Sequence, residues 1–129
     1  MKKVKTVCII DDDEIAIFCL KKSMKQIAYC DNLVIFNDGI TALKHFKRLA
    51  KNKEKSPSII FLDINMPEMS GWHFLKELIK IPGNEAGKDG IYVMSSSLDI
   101  ADISKVHNNS LATRFLPKPV NSTLLLDIL

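Results

Sequence analysis

Two groups of acidic residues in this chain directly follow apolar runs. Asp63 comes after the apolar run 59–62, and Asp11 and Asp12 come after the apolar run 7–10. A carboxylate at the end of a buried strand is costly to desolvate unless a cation or a proton accompanies it. We therefore take Asp63 as the strongest candidate for a functional residue.

The chemistry of this site depends on whether the two acidic groups meet. Two carboxylates about 4 Å apart repel each other by roughly 4 kcal/mol at an effective dielectric constant near 20. A proton on one of them would remove that repulsion, but a hard divalent cation would use all of them. Mg²⁺ typically binds one or two carboxylates together with water and phosphate oxygens. The acids therefore predict a site for Mg²⁺ and a phosphoryl group.

The elements that position these acids alternate along the chain. The short apolar run 59–62, which Pro57 and Pro67 bound, is typical of a buried parallel strand, and helix-like segments alternate with such runs along the chain. The pattern predicts strands over 5–10, 33–36, 58–63, 91–95 and 113–116, with helices over 14–28, 39–52, 70–80, 99–109 and from 121 onward. Right-handed crossovers then give an α/β fold whose strand ends share one ligand-binding edge.

Composition excludes several other classes of protein. The chain has 129 residues, of which 47% are hydrophobic and 26% charged, and it carries a net charge of +3. The apolar run behind the basic N-terminus is too short for a secretion signal, and no membrane span is apparent, so we expect a cytoplasmic protein. Residues 44–55 are basic, but apolar residues at helical spacing indicate a solvated helix face, so we expect no direct nucleic-acid binding.

Five pieces at the ends of successive predicted strands together resemble the receiver domain of two-component response regulators. They are Asp11 with Asp12, Asp63 before Met66 and Pro67, the later Gly71, then Ser95, and Lys118 with Pro119. The resemblance spans essentially the whole chain. It implies a doubly wound, flavodoxin-like parallel sheet of five strands in the order 2-1-3-4-5. It also implies that residues 1–129 form one receiver domain, with no output domain in this chain.

The resemblance assigns roles to individual residues. Asp63 would accept a phosphoryl group from a sensor histidine kinase or a histidine phosphotransfer protein. Asp12, Asp11, Asp63 and the backbone carbonyl of Asn65 would hold Mg²⁺. Such a domain is not an enzyme acting on other molecules, since it catalyses only its own phosphorylation and dephosphorylation.

Other implied roles concern contacts to the phosphoryl group and the change of surface that follows phosphorylation. Lys118 would contact a phosphoryl oxygen, and Ser95 would donate to another. Phe115 would turn inward as Ser95 moves, which changes the surface of helix four, strand five and helix five. The downstream target is unknown, and this surface could also form a dimer. A plain core phenylalanine is an equally weighted interpretation of Phe115.

Neighbouring residues have simpler interpretations. Asp13 and Glu14 fit the N-terminus of a helix, where acids are favoured by the helix dipole. Lys118 alone could be a turn residue, but a cis bond to Pro119 would aim its ammonium inward. Ile15 and Phe18 fall outside the buried stripe of the first helix, and we hypothesise that they contact the phosphodonor partner.

Two rival functions remain open from the sequence. A haloacid-dehalogenase-like phosphatase also has a nucleophilic aspartate after an apolar strand, but its second acid corresponds to Asn65 here. A receiver-like module that signals by binding alone would usually have lost an acid or the lysine, and this chain keeps them.

Overall fold

The computed structural model describes residues 4–96 and 100–129, in which five strands alternate with five helices. The strands are β1 Val4–Ile10, β2 Cys30–Phe36, β3 Ile59–Asp63, β4 Gly90–Ser95 and β5 Arg114–Pro117. The helices are α1 Glu14–Ile27, α2 Gly39–Lys51, α3 Gly71–Leu78, α4 Ile100–Asn108 and α5 Ser122–Ile128. The alternation predicted from the sequence is confirmed. Residue 99, the predicted start of α4, lies outside the described residues.

All five strands are parallel and lie in the order β2-β1-β3-β4-β5. Ile10 of β1 pairs with Leu62 of β3, and Asp63 pairs with Met94 of β4. Because parallel strands in register end at the same edge, the residues that follow β1, β3 and β4 meet there. The fold class expected from the sequence is confirmed.

The central strands are buried on both faces, which explains why β1 and β3 are apolar throughout. Alternate side chains of each strand enter two separate cores. One core lies under α2 and α3 and includes Cys8, Ile10, Ile60, Leu62, Phe46 and Phe74. The other lies under α1 and α5 and includes Val7, Ile9, Ile59, Phe61, Leu20 and Leu125.

The predicted start of β2 is wrong by three residues. The sequence predicted a strand from residue 33, whereas β2 begins at Cys30. Asp31 and Asn32 are polar, and β2 is an edge strand whose side chains are exposed or half-buried. An edge strand tolerates polar residues that a central strand excludes, so hydrophobicity does not mark its beginning.

Short polar side chains begin four of the helices. Asp13, Asp38, Ser70 and Asn121 each accept a hydrogen bond from a backbone N–H in the first turn of α1, α2, α3 and α5. Such caps satisfy N–H groups that have no partner within the helix. Asp13 therefore caps α1, as its position in the sequence indicates. Across residues 4–96 and 100–129, no helix combines the length and apolar character needed to cross a membrane.

Candidate functional site

Three carboxylates meet where β1 and β3 end. One ligand oxygen from each of Asp11, Asp12 and Asp63 lies within 4.8 Å of the others. Asp11 and Asp63 are buried, whereas Asp12 is exposed. The cluster therefore has a closed side inside the protein and an open side toward solvent, so that a small ligand could reach it.

Lys118 supplies the positive charge of this cluster. Its Nζ lies 2.8 Å from Asp11 Oδ2 and 3.4 Å from Asp63 Oδ2. The Lys118–Pro119 peptide is cis, as considered from the sequence, and the Lys118 N–H donates to the carbonyl of Ser95 at 2.9 Å. The end of β5 thus directs the ammonium group between two buried carboxylates.

The site holds more negative charge than Lys118 neutralises. The pKa of Asp63 is raised from 3.8 to about 7, mainly by burial and further by the charge of Asp11, while the Asn65 N–H and Lys118 oppose the change. Burial lowers the pKa of Lys118, but Asp11 and Asp63 together raise it above its ordinary value. The ammonium therefore stays charged, and a further cation is electrostatically favoured beside Asp63.

The residues present fit a divalent metal ion. Carboxylate oxygens are the ligands that hard cations such as Mg²⁺ prefer, and three of them converge here with one side open to water. Asn65, whose backbone carbonyl the resemblance adds to this set, lies two residues after the end of β3, and its N–H donates to Asp63 Oδ1 at 3.1 Å.

Gly71 allows the loop after β3 to fold tightly behind the cluster. A Cβ atom at this position would lie 2.7 Å from the Asp63 carbonyl oxygen and 2.8 Å from Ile64 Cα. No side chain fits at those distances, and the Gly71 N–H donates to the Ile64 carbonyl at 3.1 Å. The glycine in the sequence motif is therefore required by close backbone approach.

Ser95 lies at the end of β4 and is fully buried. Its Oγ accepts a hydrogen bond of 3.0 Å from Nδ2 of Asn65. Sequence reasoning considered only the backbone of Asn65 and missed this side-chain contact. The two residues are 30 positions apart, and no local pattern reports on such a pairing.

Phe115 is half-buried on β5, beside Val93 of β4. It packs against the core under α2 and α3 and lines a groove of about 410 Å³ between α4 and β5. Its ring is therefore neither fully exposed nor fully enclosed, and the groove leaves space beside it.

Two further features lie on the helices. Ile15 and Phe18 of α1 are 75% and 66% exposed, as expected from their place outside the buried stripe. Trp72 at the start of α3 donates from Nε1 to Asp102 of α4 at 3.3 Å, and Lys105 Nζ lies 6.0 Å from the centre of the Trp72 ring. Sequence reasoning missed this link between α3 and α4.

Known structures share this fold. A two-component response regulator from Cytophaga hutchinsonii is 25% identical with a TM-score of 0.86, and the match covers 98% of this chain and 95% of that one. A response regulator receiver protein from Dyadobacter fermentans is 25% identical with a TM-score of 0.79, covering 96% and 94%. The Mn²⁺-bound form of response regulator Rcp1 is 22% identical with a TM-score of 0.70, covering 96% and 88%.

Comparison by sequence points to the same family. No protein with a curated description matches the chain. The model of the response regulator receiver domain matches residues 7–129, which is nearly the whole sequence. The chain therefore belongs to the response regulator receiver domain family, whose members are signalling domains of two-component systems.

Proposed function

We propose that Asp63 is the phosphoacceptor of this receiver domain. The observation that carries the proposal is the buried Asp63 carboxylate, held 3.4 Å from the Lys118 ammonium inside a cluster of three acids. A phosphohistidine of a partner kinase or phosphotransfer protein would be the donor. A carboxylate oxygen of Asp63 forms a bond to phosphorus while the bond from phosphorus to the imidazole nitrogen breaks. The electron pair of that bond stays on the imidazole, and the product is an aspartyl phosphate.

Lys118 acts by charge and position. Its ammonium pairs with Asp63 before the reaction and would pair with a phosphoryl oxygen afterwards, because both groups present anionic oxygens. Asp11, Asp12, Asp63 and the backbone carbonyl of Asn65 would hold the metal ion, which we propose is Mg²⁺. A bound divalent cation supplies positive charge that stabilises the oxygens of the transferring group. The domain thereby catalyses its own phosphorylation, and water reverses it.

Phosphorylation of Asp63 would alter the protein surface through Ser95 and Phe115. The Ser95 hydroxyl donates to a phosphoryl oxygen, and the ring of Phe115 turns toward the space beside it. The groove between α4 and β5 then changes shape. We propose the face formed by α4, β5 and α5 as the surface that a downstream target reads, and as a surface for dimer formation.

Ile15 and Phe18 would contact the phosphodonor partner. Both are exposed apolar side chains on the first turns of α1, the helix that starts beside Asp12 and Asp13. Phe18→Glu should slow transfer from a histidine donor and leave labelling by acetyl phosphate unchanged. Ile79→Glu is the matched control, since Ile79 is 61% exposed at the end of α3. Equal transfer by the wild type and Phe18→Glu would contradict this role.

The rival functions have weaker support. A phosphatase of the haloacid-dehalogenase type needs a second acid near the nucleophile, but the residue there is Asn65, whose amide donates to Ser95. A module that signals without phosphorylation would have no need of a lysine buried between two acids. We further propose that residues 1–129 act as one domain in the cytoplasm, where the side chains of Cys8, Cys19 and Cys30 stay reduced and form no disulfides.

Intact-protein mass spectrometry with acetyl phosphate and Mg²⁺ tests the proposal. The wild type should gain the mass of one phosphoryl group, whereas Asp63→Asn and a sample with a chelator should gain none. Asp13→Asn is the matched control, because asparagine also caps helices and Asp13 is outside the carboxylate cluster. No gain by the wild type favours the binding module, and sustained turnover of a phosphomonoester without a labelled protein favours the phosphatase.

A further inference from the structure

A groove of about 590 Å³ lies between α1 and the edge strand β2. Its lining includes two apolar side chains, the buried Met24 of α1 and the half-buried Leu33 of β2. Three exposed lysines of α1 also line it, Lys21, Lys22 and Lys25. Lys25 is four and three positions after the other two, a spacing that brings side chains to one face of a helix. The three ammonium groups therefore lie along the same apolar surface.

The charges along this groove are unbalanced. Among the described residues that line it, three are lysines and one, Asp31, is acidic. Within the part of the chain that the structure describes, no ion pair joins any of the three lysines to a carboxylate. A lysine can pack its stem on apolar surface and keep its ammonium in water. The groove can therefore attract an anionic ligand without first breaking an ion pair.

The backbone of β2 is a second feature of the groove. This strand pairs with β1 on one side and forms the edge of the sheet on the other. Backbone N–H and C=O groups at an open edge can pair with a further strand. An extended peptide that adds to such an edge gains main-chain hydrogen bonds, and its side chains enter the pockets beside the edge.

The positive charge indicates which kind of molecule would bind. A second copy of this chain that paired through β2 would bring its own lysines to the edge, and like charges there oppose association. An acidic peptide would instead meet opposite charge. Residues 30–33 of β2 line the groove, and four residues of a strand span about 13 Å, so a short segment is sufficient.

We propose that the groove between α1 and β2 binds an extended acidic segment of a partner protein, which adds a sixth strand to the sheet. Carboxylates of the segment contact the three lysines of α1. Apolar side chains of the segment pack on Met24 and Leu33. Its backbone forms hydrogen bonds with the outer edge of β2.

This surface is separate from the carboxylate cluster. Cys30 begins β2, whereas Phe36 ends it and pairs with Ile10, which in turn pairs with Leu62 beside Asp63. At the rise of a parallel strand, Cys30 and Phe36 are about 20 Å apart. The groove lies toward the start of β2, at the end of the sheet away from the acids. The proposal therefore goes beyond the phosphorylation of Asp63 and does not depend on it.

A designed peptide tests the proposal. The probe is the blocked, fluorescein-labelled hexapeptide Glu-Glu-Val-Val-Glu-Glu. In extended form it presents valine and glutamate on both faces, so that either face can meet the groove. Fluorescence anisotropy at low salt, without acetyl phosphate or Mg²⁺, should show binding to the wild type. A matched peptide with lysine in place of each glutamate should not bind.

Two double variants compare this groove with another basic face. Lys21→Glu with Lys25→Glu should weaken binding by about tenfold or more, because attraction at the groove becomes repulsion. Lys47→Glu with Lys51→Glu is the matched control, since it reverses two exposed lysines at the same spacing on α2 and changes the net charge equally. The control should bind the peptide nearly as the wild type does.

Hydrogen exchange distinguishes strand addition from attraction by charge alone. The bound peptide should slow the exchange of backbone N–H groups in β2 and leave those of β5, at the opposite edge, unchanged. A peptide with N-methylated valines cannot donate main-chain hydrogen bonds at those positions. Its affinity should be lower by about tenfold.

Several outcomes would overturn the proposal. They are no binding of the acidic peptide at millimolar concentration, equal weakening in the two double variants, and binding without slower exchange in β2. Slower exchange in β2 when the protein is concentrated without peptide would assign the edge to a second copy. Binding to phosphatidylglycerol vesicles but not to the peptide would assign the lysines to a membrane surface. Each of these last two results also contradicts the proposal, whereas a failure of Asp63 to gain phosphate would not.

Discussion

The charged end of the sheet and the face formed by α4 and β5 are held in very different ways. At the charged end, Asp11 and Asp63 are buried and both contact Lys118. On α4, Val106 is the one buried side chain among those described. Preorganised charges suit the stabilisation of a transferring group. A helix with few buried side chains can adopt a second position at a lower cost in free energy. The comparison indicates that the proposed chemistry and the proposed signal output occupy regions of different rigidity.

The largest expected effect follows from removing the cation between the buried acids. Lys118→Met keeps the approximate length of the side chain but leaves Asp11 and Asp63 facing each other without the cation between them. We expect the free energy of unfolding at pH 8, without metal, to fall by about 3–5 kcal/mol, as for other broken buried pairs. Urea denaturation measures this loss. Lys22→Met, on the exposed face of α1, is the control, and equal losses in both variants would contradict the comparison.

Neutralising Asp63 should instead stabilise the metal-free protein at high pH. The pKa of Asp63 rises from 3.8 to about 7 on folding, so the folded protein keeps a proton that the unfolded chain has lost between these pH values. Stability due to this group is therefore full below pH 4 and is lost as pH rises through about 7.

Asp63→Asn cannot ionise, so the variant does not lose stability at this position as the pH rises. We expect the metal-free variant to melt roughly 5 °C above the wild type at pH 8, with no such advantage at pH 3.5. Differential scanning fluorimetry across this pH range is sufficient. Addition of Mg²⁺ should raise the melting temperature of the wild type more than that of the variant, and an advantage independent of pH would refute the explanation.

Asp12→Asn should affect metal binding without affecting the fold. Asp12 is exposed, so its loss should change the free energy of unfolding by less than about 0.5 kcal/mol. The affinity for Mg²⁺ should fall by about tenfold or more, because ligand charge largely sets affinity for such cations. Isothermal titration calorimetry compares it with Asp13→Asn, which should bind Mg²⁺ like the wild type.

The smallest effect is expected on the α4 face. Asp102→Ala removes the acceptor of the Trp72 indole N–H and should cost only about 1 kcal/mol. Hydrogen exchange should nevertheless accelerate in α4 and stay unchanged in α1. Trp72 is the only tryptophan, so its fluorescence reports the change directly. Asp102→Asn keeps an acceptor and should behave more like the wild type, and unchanged exchange in Asp102→Ala would show that α4 is anchored elsewhere.

The central strands and the acids at their ends could be predicted from the sequence for a physical reason. The runs before Asp11 and Asp63 are apolar on both faces, and parallel strands must bring their ends together. Asp13 could be separated from Asp12 because one acid suffices to cap α1.

The features that the sequence did not predict depend on contacts between distant segments. The start of β2 is set by pairing with β1 at Cys30, and no change in hydrophobicity marks it. The bonds from Asn65 to Ser95 and from Trp72 to Asp102 each join residues 30 positions apart, so they follow from the tertiary fold and the rotamers chosen there.

Chemical trapping of the phosphorylated residue tests the central claim most directly. Sodium borohydride reduces an aspartyl phosphate to homoserine, and peptide mapping identifies the position. After treatment with acetyl phosphate and Mg²⁺, we predict homoserine at position 63 in the wild type and none when Mg²⁺ is withheld. Homoserine at position 11 or 12, or an unmodified position 63 in protein that has gained a phosphoryl group, would contradict the account.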